Sequence, residues 1–146
     1  MENVLKKLGW KNQPRVALIN APGEIHEALA ALLPQVPDTI LDGSYDFIMY
    51  FAAELAAVRR DKSDLVEALA QEGRLWVCYP KKTSKKFKSD LSRDILWPEF
   101  GEFDFEPVSQ YAVDNDWSAM RFKPVDEIKR MIRQKAVSEK GKKRLE

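Results

Sequence analysis

The residues best suited to bind a ligand follow an uncharged segment that runs from Leu75 to Pro80. An apolar run without polar alternation indicates a strand that is buried on both faces of a sheet. A basic loop with hydroxyl side chains comes directly after it, and the candidate anion-binding residues are Lys81, Lys82, Thr83, Ser84, Lys85 and Arg93. Ammonium, guanidinium and hydroxyl groups donate hydrogen bonds to phosphate or carboxylate oxygens. Because ligands of open α/β sheets bind beyond the carboxyl ends of the strands, the loop lies where a site is expected.

The same lysine run also fits a solvated surface loop, and such loops are common. Residues 114–116 (Asp-Asn-Asp) are predicted to form a hairpin turn. If the hairpin lies next to the central strand, this turn ends near Lys81 and Lys82, and its carboxylates can neutralise them. Exposed ion pairs of this kind contribute only about 0–1 kcal/mol each. Composition therefore favours the solvated loop, and the anion-binding interpretation stays open beside it.

A second group of polar residues is predicted to line a crevice at the same edge of the sheet. Its members are Asn20, Gly23, Glu54 and Asp114. Asn20 and Glu54 directly follow the first and second main strands, where polar groups orient ligands. A turn at Asn20 and a helix cap at Glu54 explain these two residues equally well.

The sequence predicts neither a metal site nor a cofactor, and no catalytic residue is assigned. Its one histidine, His26, and its one cysteine, Cys78, have no spacing that links a nucleophile to a base. The sequence contains no cluster of cysteine and histidine for a transition metal. It also contains no G-x-x-x-x-G-K-[ST] phosphate loop.

Charge is strongly segregated along the chain, although the net charge is only +1. An acidic stretch runs from Asp94 to Ser118, and the segment from Lys129 to Arg144 is basic. That basic segment could bind nucleic acid or an acidic protein surface. A docked amphipathic helix explains it better, and no aromatic residues are interleaved for base stacking.

Hydrophobic periodicity and turn residues predict strands alternating with helices, followed by a hairpin. Helices are expected near 4–8, 25–33, 52–60, 63–70, 90–97 and 126–137, and strands near 14–19, 39–41, 45–51, 74–80, 108–113 and 117–122. The 90–97 helix would add backbone amide donors to the lysine loop. Gly73 is expected to end the 63–70 helix. This order predicts a three-layer α/β fold, a mostly parallel sheet with an antiparallel C-terminal hairpin.

Length and composition indicate one soluble domain, since the chain has 146 residues, of which 45% are hydrophobic and 32% charged. We expect an α/β domain over 1–124, followed by a basic helix and disordered tail over 125–146. No run is long enough to span a bilayer, and the first residues lack the apolar core of a signal peptide. A cytoplasmic location is therefore expected, with no membrane partner.

The strand order resembles the S-adenosylmethionine-dependent methyltransferase fold, which is of Rossmann type and also ends in a hairpin. The segment 69–77 is similar to the helix-to-strand passage before the fifth strand of that fold. The family binds its cofactor with a glycine-rich turn after the first strand. The turn here, 20–23, has one glycine and a proline. The family also has an acidic residue for the ribose hydroxyls after its second strand. Asp42 lies at about that place, but it also fits a turn with Gly43. The resemblance thus implies the topology without the cofactor motif.

Six short motifs together resemble a bacterial family known only as domain of unknown function 3052. They are Leu8-Gly-Trp-Lys11, Leu18-Ile-Asn-Ala-Pro22, Tyr45-Asp-Phe-Ile48, Leu75-Trp-Val-Cys-Tyr-Pro-Lys-Lys82, Asp90-Leu-Ser-Arg-Asp94 and Val113-Asp-Asn-Asp-Trp-Ser-Ala-Met-Arg-Phe122. The resemblance covers residues 3–124 and implies a fold without an activity.

The leading functional prediction is a non-catalytic binding or regulatory domain that recognises a small anionic ligand at the carboxyl edge of its sheet. One alternative is an enzyme acting on an anionic substrate, with Lys81 or Lys82 as electrophile or base. The other is a nucleic-acid accessory protein that acts through the basic C-terminal segment.

Overall fold

The uncharged runs of the sequence form strands of a five-stranded sheet. The computed structural model describes residues 1–128 and 140–142. The strands are β1 Val16–Ile19, β2 Tyr45–Phe51, β3 Leu69–Pro80, β4 Phe105–Ala112 and β5 Trp117–Pro124. The helices are α1 Glu2–Lys7, α2 Gly23–Ala30, α3 Leu55–Ala68 and α4 Arg93–Leu96, with 3-10 turns at Gly101–Phe103 and Val125–Glu127.

The order of strands across the sheet is β1-β2-β3-β5-β4. β1, β2 and β3 are parallel neighbours, whereas β5 runs antiparallel to both β3 and β4. The predicted mixed α/β class is therefore confirmed. Since the three parallel strands are adjacent, their carboxyl ends lie at one edge of the sheet.

β3 divides the apolar residues into two clusters because its successive side chains point to opposite faces. Trp76 and Cys78 belong to the cluster that contains residues of α1 and α2. Leu75, Val77 and Tyr79 belong to the cluster that contains residues of α3 and α4. All five side chains are buried, so β3 has apolar contacts on both faces, as its uncharged sequence predicts.

The amino-terminal helix is fixed to the centre of the sheet by one buried hydrogen bond. The indole Nε1 of Trp76 donates to the carbonyl oxygen of Leu8 at 2.9 Å. Leu5 and Leu8 are also buried against this face. The chain turns away from α1 at Gly9, whose φ of 83° is a left-handed conformation that favours glycine.

The predicted pair of helices over 52–60 and 63–70 is wrong, because α3 is one continuous helix. The residues that join the two segments, Asp61 and Lys62, are tolerated in a helix interior, so the predicted break does not form. Gly73 does not end the helix, since the chain leaves α3 at Leu69, in an extended conformation. Gly73 instead lies in β3, where the register with β2 is irregular.

Three other element boundaries differ from the prediction. Residues 39–41 are outside the named strands. β1 instead forms one isolated parallel bridge on this side, between Ala17 and Asp38. β4 begins at Phe105, three residues earlier than expected. α4 is a single turn capped by the Ser92 hydroxyl, which accepts a hydrogen bond from the Ile95 amide at 3.2 Å.

The predicted helix over 126–137 does not begin as expected. Val125–Glu127 forms a 3-10 turn, and Ile128 is extended. Residues 129–139 and 143–146 lie outside the described residues, so most of the predicted basic helix and tail is untested. Lys140 is described, and its Nζ lies 2.8 Å from Oδ2 of Asp126. Within the described residues, no helix has the length and apolar character needed to cross a bilayer.

Gly73 and Gly23 give opposite predictions for replacement by alanine. A Cβ at Gly73 would lie 2.9 Å from the carbonyl oxygens of Ala70 and Tyr45, so Gly73→Ala forces the backbone to shift. We expect it to lower the free energy of unfolding by about 2 kcal/mol. Gly23 begins α2 with open space around it, so Gly23→Ala should raise stability by up to about 1 kcal/mol. Urea denaturation of both variants checks this, and equal effects would contradict the close approach at Gly73.

Candidate anion-binding site

The carboxyl ends of the three parallel strands meet at one edge, as the sequence predicts. Ile19 pairs with Tyr50, and Phe51 pairs with Cys78. The backbone continues this pattern beyond the strands, since the Ala52 amide donates to the Cys78 carbonyl oxygen at 3.0 Å. Polar residues that follow β1, β2 and β3 can therefore share one site.

The basic loop that begins at Lys81, which we name the lysine loop, is attached to the turn between β4 and β5. The Lys81 amide donates to the carbonyl oxygen of Asp116 at 2.8 Å. The Ser84 hydroxyl donates to Oδ1 of Asp116 at 2.8 Å and accepts from the Phe87 amide at 3.2 Å. The predicted proximity of the turn to Lys81 is thus confirmed. Because Ser84 uses its hydroxyl to hold the loop, it is not free to serve a ligand.

Asp114, which the sequence predicted to line the crevice, has a structural role in the turn between β4 and β5. Its Oδ1 accepts hydrogen bonds from the amides of Asp116 and Trp117, each at 2.8 Å. A side chain that bonds amides two and three residues ahead fixes a tight turn. Asp114 therefore shapes the turn between β4 and β5 through its Oδ1.

The amino terminus of α3 is occupied by the chain's own carboxylate. Oδ1 of Asp90 accepts a hydrogen bond from the Leu55 amide at 2.8 Å, and the Ser89 hydroxyl donates to the Ala53 carbonyl oxygen at 2.5 Å. Glu54 is exposed at the N-cap position and makes no capping hydrogen bond. A helix amino terminus favours a negative group, and Asp90 supplies it from the lysine loop. The prediction of a ligand-facing Glu54 gains no support from this geometry.

Asn20 and Gly23 follow β1 but do not join the lysine loop. Asn20 has a φ of 61° and lines a separate cavity beside β1. Gly23 is exposed at the start of α2, with no neighbouring atoms around the position of a Cβ. The predicted crevice residues are thus distributed over different parts of the edge.

A cavity of about 230 Å³ lies beside the carboxyl end of β3, and we name it the Lys81 cavity. It is lined by Tyr79, Lys81, Lys82, Ser92, Arg93, Asp94, Gln110 and Ser118. Three predicted anion-binding residues therefore meet here, namely Lys81, Lys82 and Arg93. Thr83, Ser84 and Lys85 do not line it, and Thr83 and Lys85 are exposed.

Positive charge dominates the Lys81 cavity. Three cationic side chains and one carboxylate, Asp94, line it, which gives a net charge of 3 − 1 = +2. Within residues 1–128 and 140–142, neither Lys81 nor Lys82 forms an ion pair. The Arg93 guanidinium carbon lies 4.8 Å from the ring centroid of Trp97, a contact that restricts the arginine. The cavity is therefore suited to an anion.

Five lining residues of the Lys81 cavity were missed by the sequence prediction, namely Tyr79, Ser92, Asp94, Gln110 and Ser118. Tyr79 is only 4% exposed, and the Gln110 amide Nε2 donates to its hydroxyl oxygen at 2.6 Å. Burial raises the pKa of the Tyr79 hydroxyl, although the nearby charge of Arg93 acts in the opposite direction. The alternation of β3 could place Tyr79 on a face, but only the pairing of β4 with β5 reveals Gln110.

A larger cavity of about 850 Å³ lies beside β1 and has the opposite charge. Its charged lining residues are Arg60, Asp61, Asp64 and Glu67, a net charge of 1 − 3 = −2. The hydroxyl of Tyr50 donates to Oδ2 of Asp61 at 2.7 Å, and burial raises the pKa of this tyrosine. The hydrogen bond from Arg60 lowers the pKa of Asp61. This cavity is unsuited to the predicted anion.

Arg121 lies on the other face of the sheet. It pairs with Trp76 in the ladder between β3 and β5 and therefore points toward the side of α1 and α2. Burial and the nearby Arg74 lower the pKa of Arg121 to about 10. Among the described residues, its buried Nε has no hydrogen-bond partner. Arg121 does not line the Lys81 cavity.

The acidic stretch instead binds α3. Oε1 of Glu99 lies 3.1 Å from Nε of Arg59 and 3.3 Å from Nζ of Lys62. In the part of the chain that the structure describes, no three histidine, cysteine, aspartate or glutamate side chains come together as a metal site.

Comparison with known proteins supports the fold and no more. No protein-family model and no curated protein matches this chain. The ribosomal protein L11 methylase of Lactobacillus delbrueckii subsp. bulgaricus is similar in structure, with a TM-score of 0.56 and 12% identity over 84% of this chain and 75% of that protein. The chain has a methyltransferase-like fold. At this identity the likeness does not extend to an activity.

Two further structures are more distant. Fibrillarin in its complex with Nop5p has a TM-score of 0.49 at 11% identity, over 83% of this chain and 79% of that one. LepI in complex with SAM has a TM-score of 0.47 at 11% identity, over 84% of this chain and only 39% of that protein. The resemblance to domain of unknown function 3052 stays a prediction, because no family model matches.

Removal of the Asp90 carboxylate should destabilise the protein. Asp90→Ala leaves the Leu55 amide at the start of α3 without its acceptor, and we expect a loss of about 1 kcal/mol in the free energy of unfolding. Glu54→Ala is the matched control, because Glu54 makes no capping hydrogen bond, and it should change stability by less than about 0.5 kcal/mol. Chemical denaturation of both variants measures this. A larger loss in the Glu54 variant would refute the assignment of the cap.

Replacement of Arg121 should stabilise the protein, in contrast to the replacement of Asp90. Arg121→Met removes a partly buried charge without an acceptor for its Nε, so we expect the free energy of unfolding to rise by about 1 kcal/mol. Arg60→Met, which removes an exposed ion pair with Asp61, should lower it by at most about 1 kcal/mol.

The effect of Arg121 on stability should depend on pH. The pKa of Arg121 is about 10 in the folded protein, below its ordinary value of 12.5, so the unfolded chain binds more protons between these values. Stability then rises with pH in this window, and the advantage of the variant should shrink above about pH 10. Denaturation of wild type and variant at pH 8 to 11 follows that difference. An advantage that grows with pH would contradict this assignment.

Proposed function

We propose that this protein is a non-catalytic binding or regulatory domain that recognises a phosphate- or carboxylate-bearing ligand at the carboxyl edge of its sheet. The observation that carries this proposal is the Lys81 cavity, where Lys81, Lys82 and Arg93 meet around a net charge of +2. Among the described residues, the acids of the neighbouring turn form no ion pair with Lys81 or Lys82. Asp114 bonds turn amides, and Asp116 bonds Ser84.

A catalytic role for Lys81 or Lys82 is supported less well than a binding role. An enzyme would need an acid or base within hydrogen-bond reach of the lysine, and among the described residues neither Lys81 nor Lys82 forms an ion pair, even with Asp94 of the same cavity. The predicted partners are committed elsewhere or exposed, since Asp114 fixes the hairpin turn and Glu54 lies at the start of α3. The 20–23 turn contains one glycine and a proline, which removes an amide donor. These features favour recognition over methyl transfer.

We also propose the finer architecture that the sequence predicts, with helices on both faces of the sheet and a hairpin at its edge. Two apolar clusters support the three layers, one containing residues of α1 and α2 and the other residues of α3 and α4. The antiparallel pairing of β4 and β5 around the turn at 113–116 supports the hairpin. This architecture supplies the neighbouring strands that line the Lys81 cavity.

Anion-dependent thermal stabilisation tests the proposed function. A ligand present at one hundred times its Kd stabilises the folded state by about 2.7 kcal/mol. For a chain of this size, that corresponds to a rise in Tm of about 5–10 °C. We expect phosphate, sulfate or a nucleotide to produce such a rise, and Lys81→Ala/Lys82→Ala to abolish it.

The matched control removes the same charge outside the cavity. Lys85→Ala/Lys86→Ala changes two exposed lysines of the same loop and should keep the anion-dependent rise. No rise in the wild-type protein with any of these anions would refute the proposal. Equal losses in both double variants would show general charge attraction and would refute the cavity as the site.

A further inference from the structure

We infer that the Tyr79 hydroxyl is the innermost donor of the Lys81 cavity and that its ligand is a small dianionic oxyanion, inorganic phosphate or the phosphate of a small monoester. This inference rests on the proposed function and specifies the ligand of the same site. It adds Tyr79 and Gln110 to the predicted cationic residues, and it distinguishes phosphate from carboxylate.

Tyr79 is held rigidly where β3 ends. It precedes Pro80, the last residue of the strand, and pairs with Ser118 of β5 in the antiparallel ladder. Its side chain is 4% exposed, yet it lines the Lys81 cavity together with Arg93. A tyrosine buried at a cavity wall can present its hydroxyl to a ligand at a place where a hydrogen bond is stronger than in water.

The hydrogen bonds of Tyr79 leave its proton available. A phenol donates one hydrogen bond and accepts others. Gln110 donates its amide to the phenol oxygen at 2.6 Å, so this contact uses the oxygen as an acceptor. Among the described residues, no side chain or carbonyl accepts the Tyr79 proton. Because a buried donor without an acceptor is costly, the Tyr79 hydroxyl is suited to donate to a ligand oxygen in the cavity.

The rim of the cavity supplies the other donors. Lys81 follows directly after Pro80, and its backbone is fixed by the Asp116 carbonyl oxygen. Arg93 is restricted by its contact with the Trp97 ring. Together with Lys82, these groups line the same cavity as Tyr79. Four donors around one small space match the several acceptor oxygens of a phosphate better than the two oxygens of a carboxylate.

Charge and size support the same ligand class. The lining side chains carry a net charge of +2, Asp94 included. A phosphate monoester carries about −1.5 to −2 at neutral pH, whereas a simple carboxylate carries about −1. The cavity of about 230 Å³ is smaller than the roughly 300–1,000 Å³ typical of drug-sized ligands. A phosphate with few attached atoms fits, and a dinucleotide does not.

Isothermal titration with inorganic phosphate and with acetate tests this inference. The wild-type protein should bind phosphate at least about tenfold more tightly than acetate. Tyr79→Phe removes only the hydroxyl and should weaken phosphate binding by about tenfold or more, as expected for a hydrogen bond to a charged acceptor. Tyr111→Phe is the matched control, because Tyr111 lies near Trp76 and does not line the cavity, and it should bind phosphate as the wild type does.

A second variant keeps the test decisive if Tyr79→Phe does not fold. In Gln110→Glu the new carboxylate accepts the Tyr79 proton and withdraws it from the cavity, so phosphate binding should again fall by at least about tenfold. Unchanged phosphate affinity in the folded Tyr79 variant, or in the Gln110 variant, would overturn the inference.

The outcomes separate this inference from the proposed function. If Lys81→Ala/Lys82→Ala abolishes phosphate binding while Tyr79→Phe retains it, the role of Tyr79 is wrong and the proposed function stands. If acetate binds the wild type as tightly as phosphate does, the ligand class is wrong and anion recognition stands. If the wild type binds neither anion, both proposals are wrong.

Discussion

The position of β3 between β2 and β5 is the constraint on which the rest of the structure depends. One neighbour is parallel and the other antiparallel, so β3 uses both of its backbone edges. Its side chains contribute to both apolar clusters, through Trp76 on one face and Val77 on the other. A strand bonded on both edges and packed on both faces has little freedom to shift. The groups at its carboxyl end, Tyr79 within the strand and Lys81 directly after it, are therefore placed accurately.

The antiparallel direction of β5 determines what surrounds the end of β3. Because β5 starts where β3 ends, the turn before Trp117 lies next to the lysine loop. The carbonyl oxygen and carboxylate of Asp116 then hold Lys81 and Ser84. Further along, Asp90 joins the loop to the start of α3. These contacts fold the loop back across the sheet edge, so that Arg93 returns to the cavity beside Tyr79.

Sequence patterns predicted the buried strands well because burial on both faces permits only apolar side chains. They missed only the start of β4, since Glu106 and Pro107 are unusual in a strand and are accommodated at an edge where the register is irregular. The lysines and Arg93 were predicted as a group from composition and placement. Gln110 was not predicted, because its contact with Tyr79 depends on the irregular register between β4 and β5, which no local pattern encodes.

The net charge of the Lys81 cavity depends on where the acidic side chains form their hydrogen bonds as well as on the number of nearby lysines. The 94–118 stretch contains seven acids and no basic residue, enough to neutralise the lysine loop. Several of these acids are committed to structural hydrogen bonds, for example Asp114 in its turn and Glu99 on α3. Asp94 alone among them lines the Lys81 cavity. Exposed lysines without partners would ordinarily attract only screened counter-ions. Here Lys81 and Lys82 line the same cavity as a buried tyrosine, Tyr79, and that combination supports the proposed anion site.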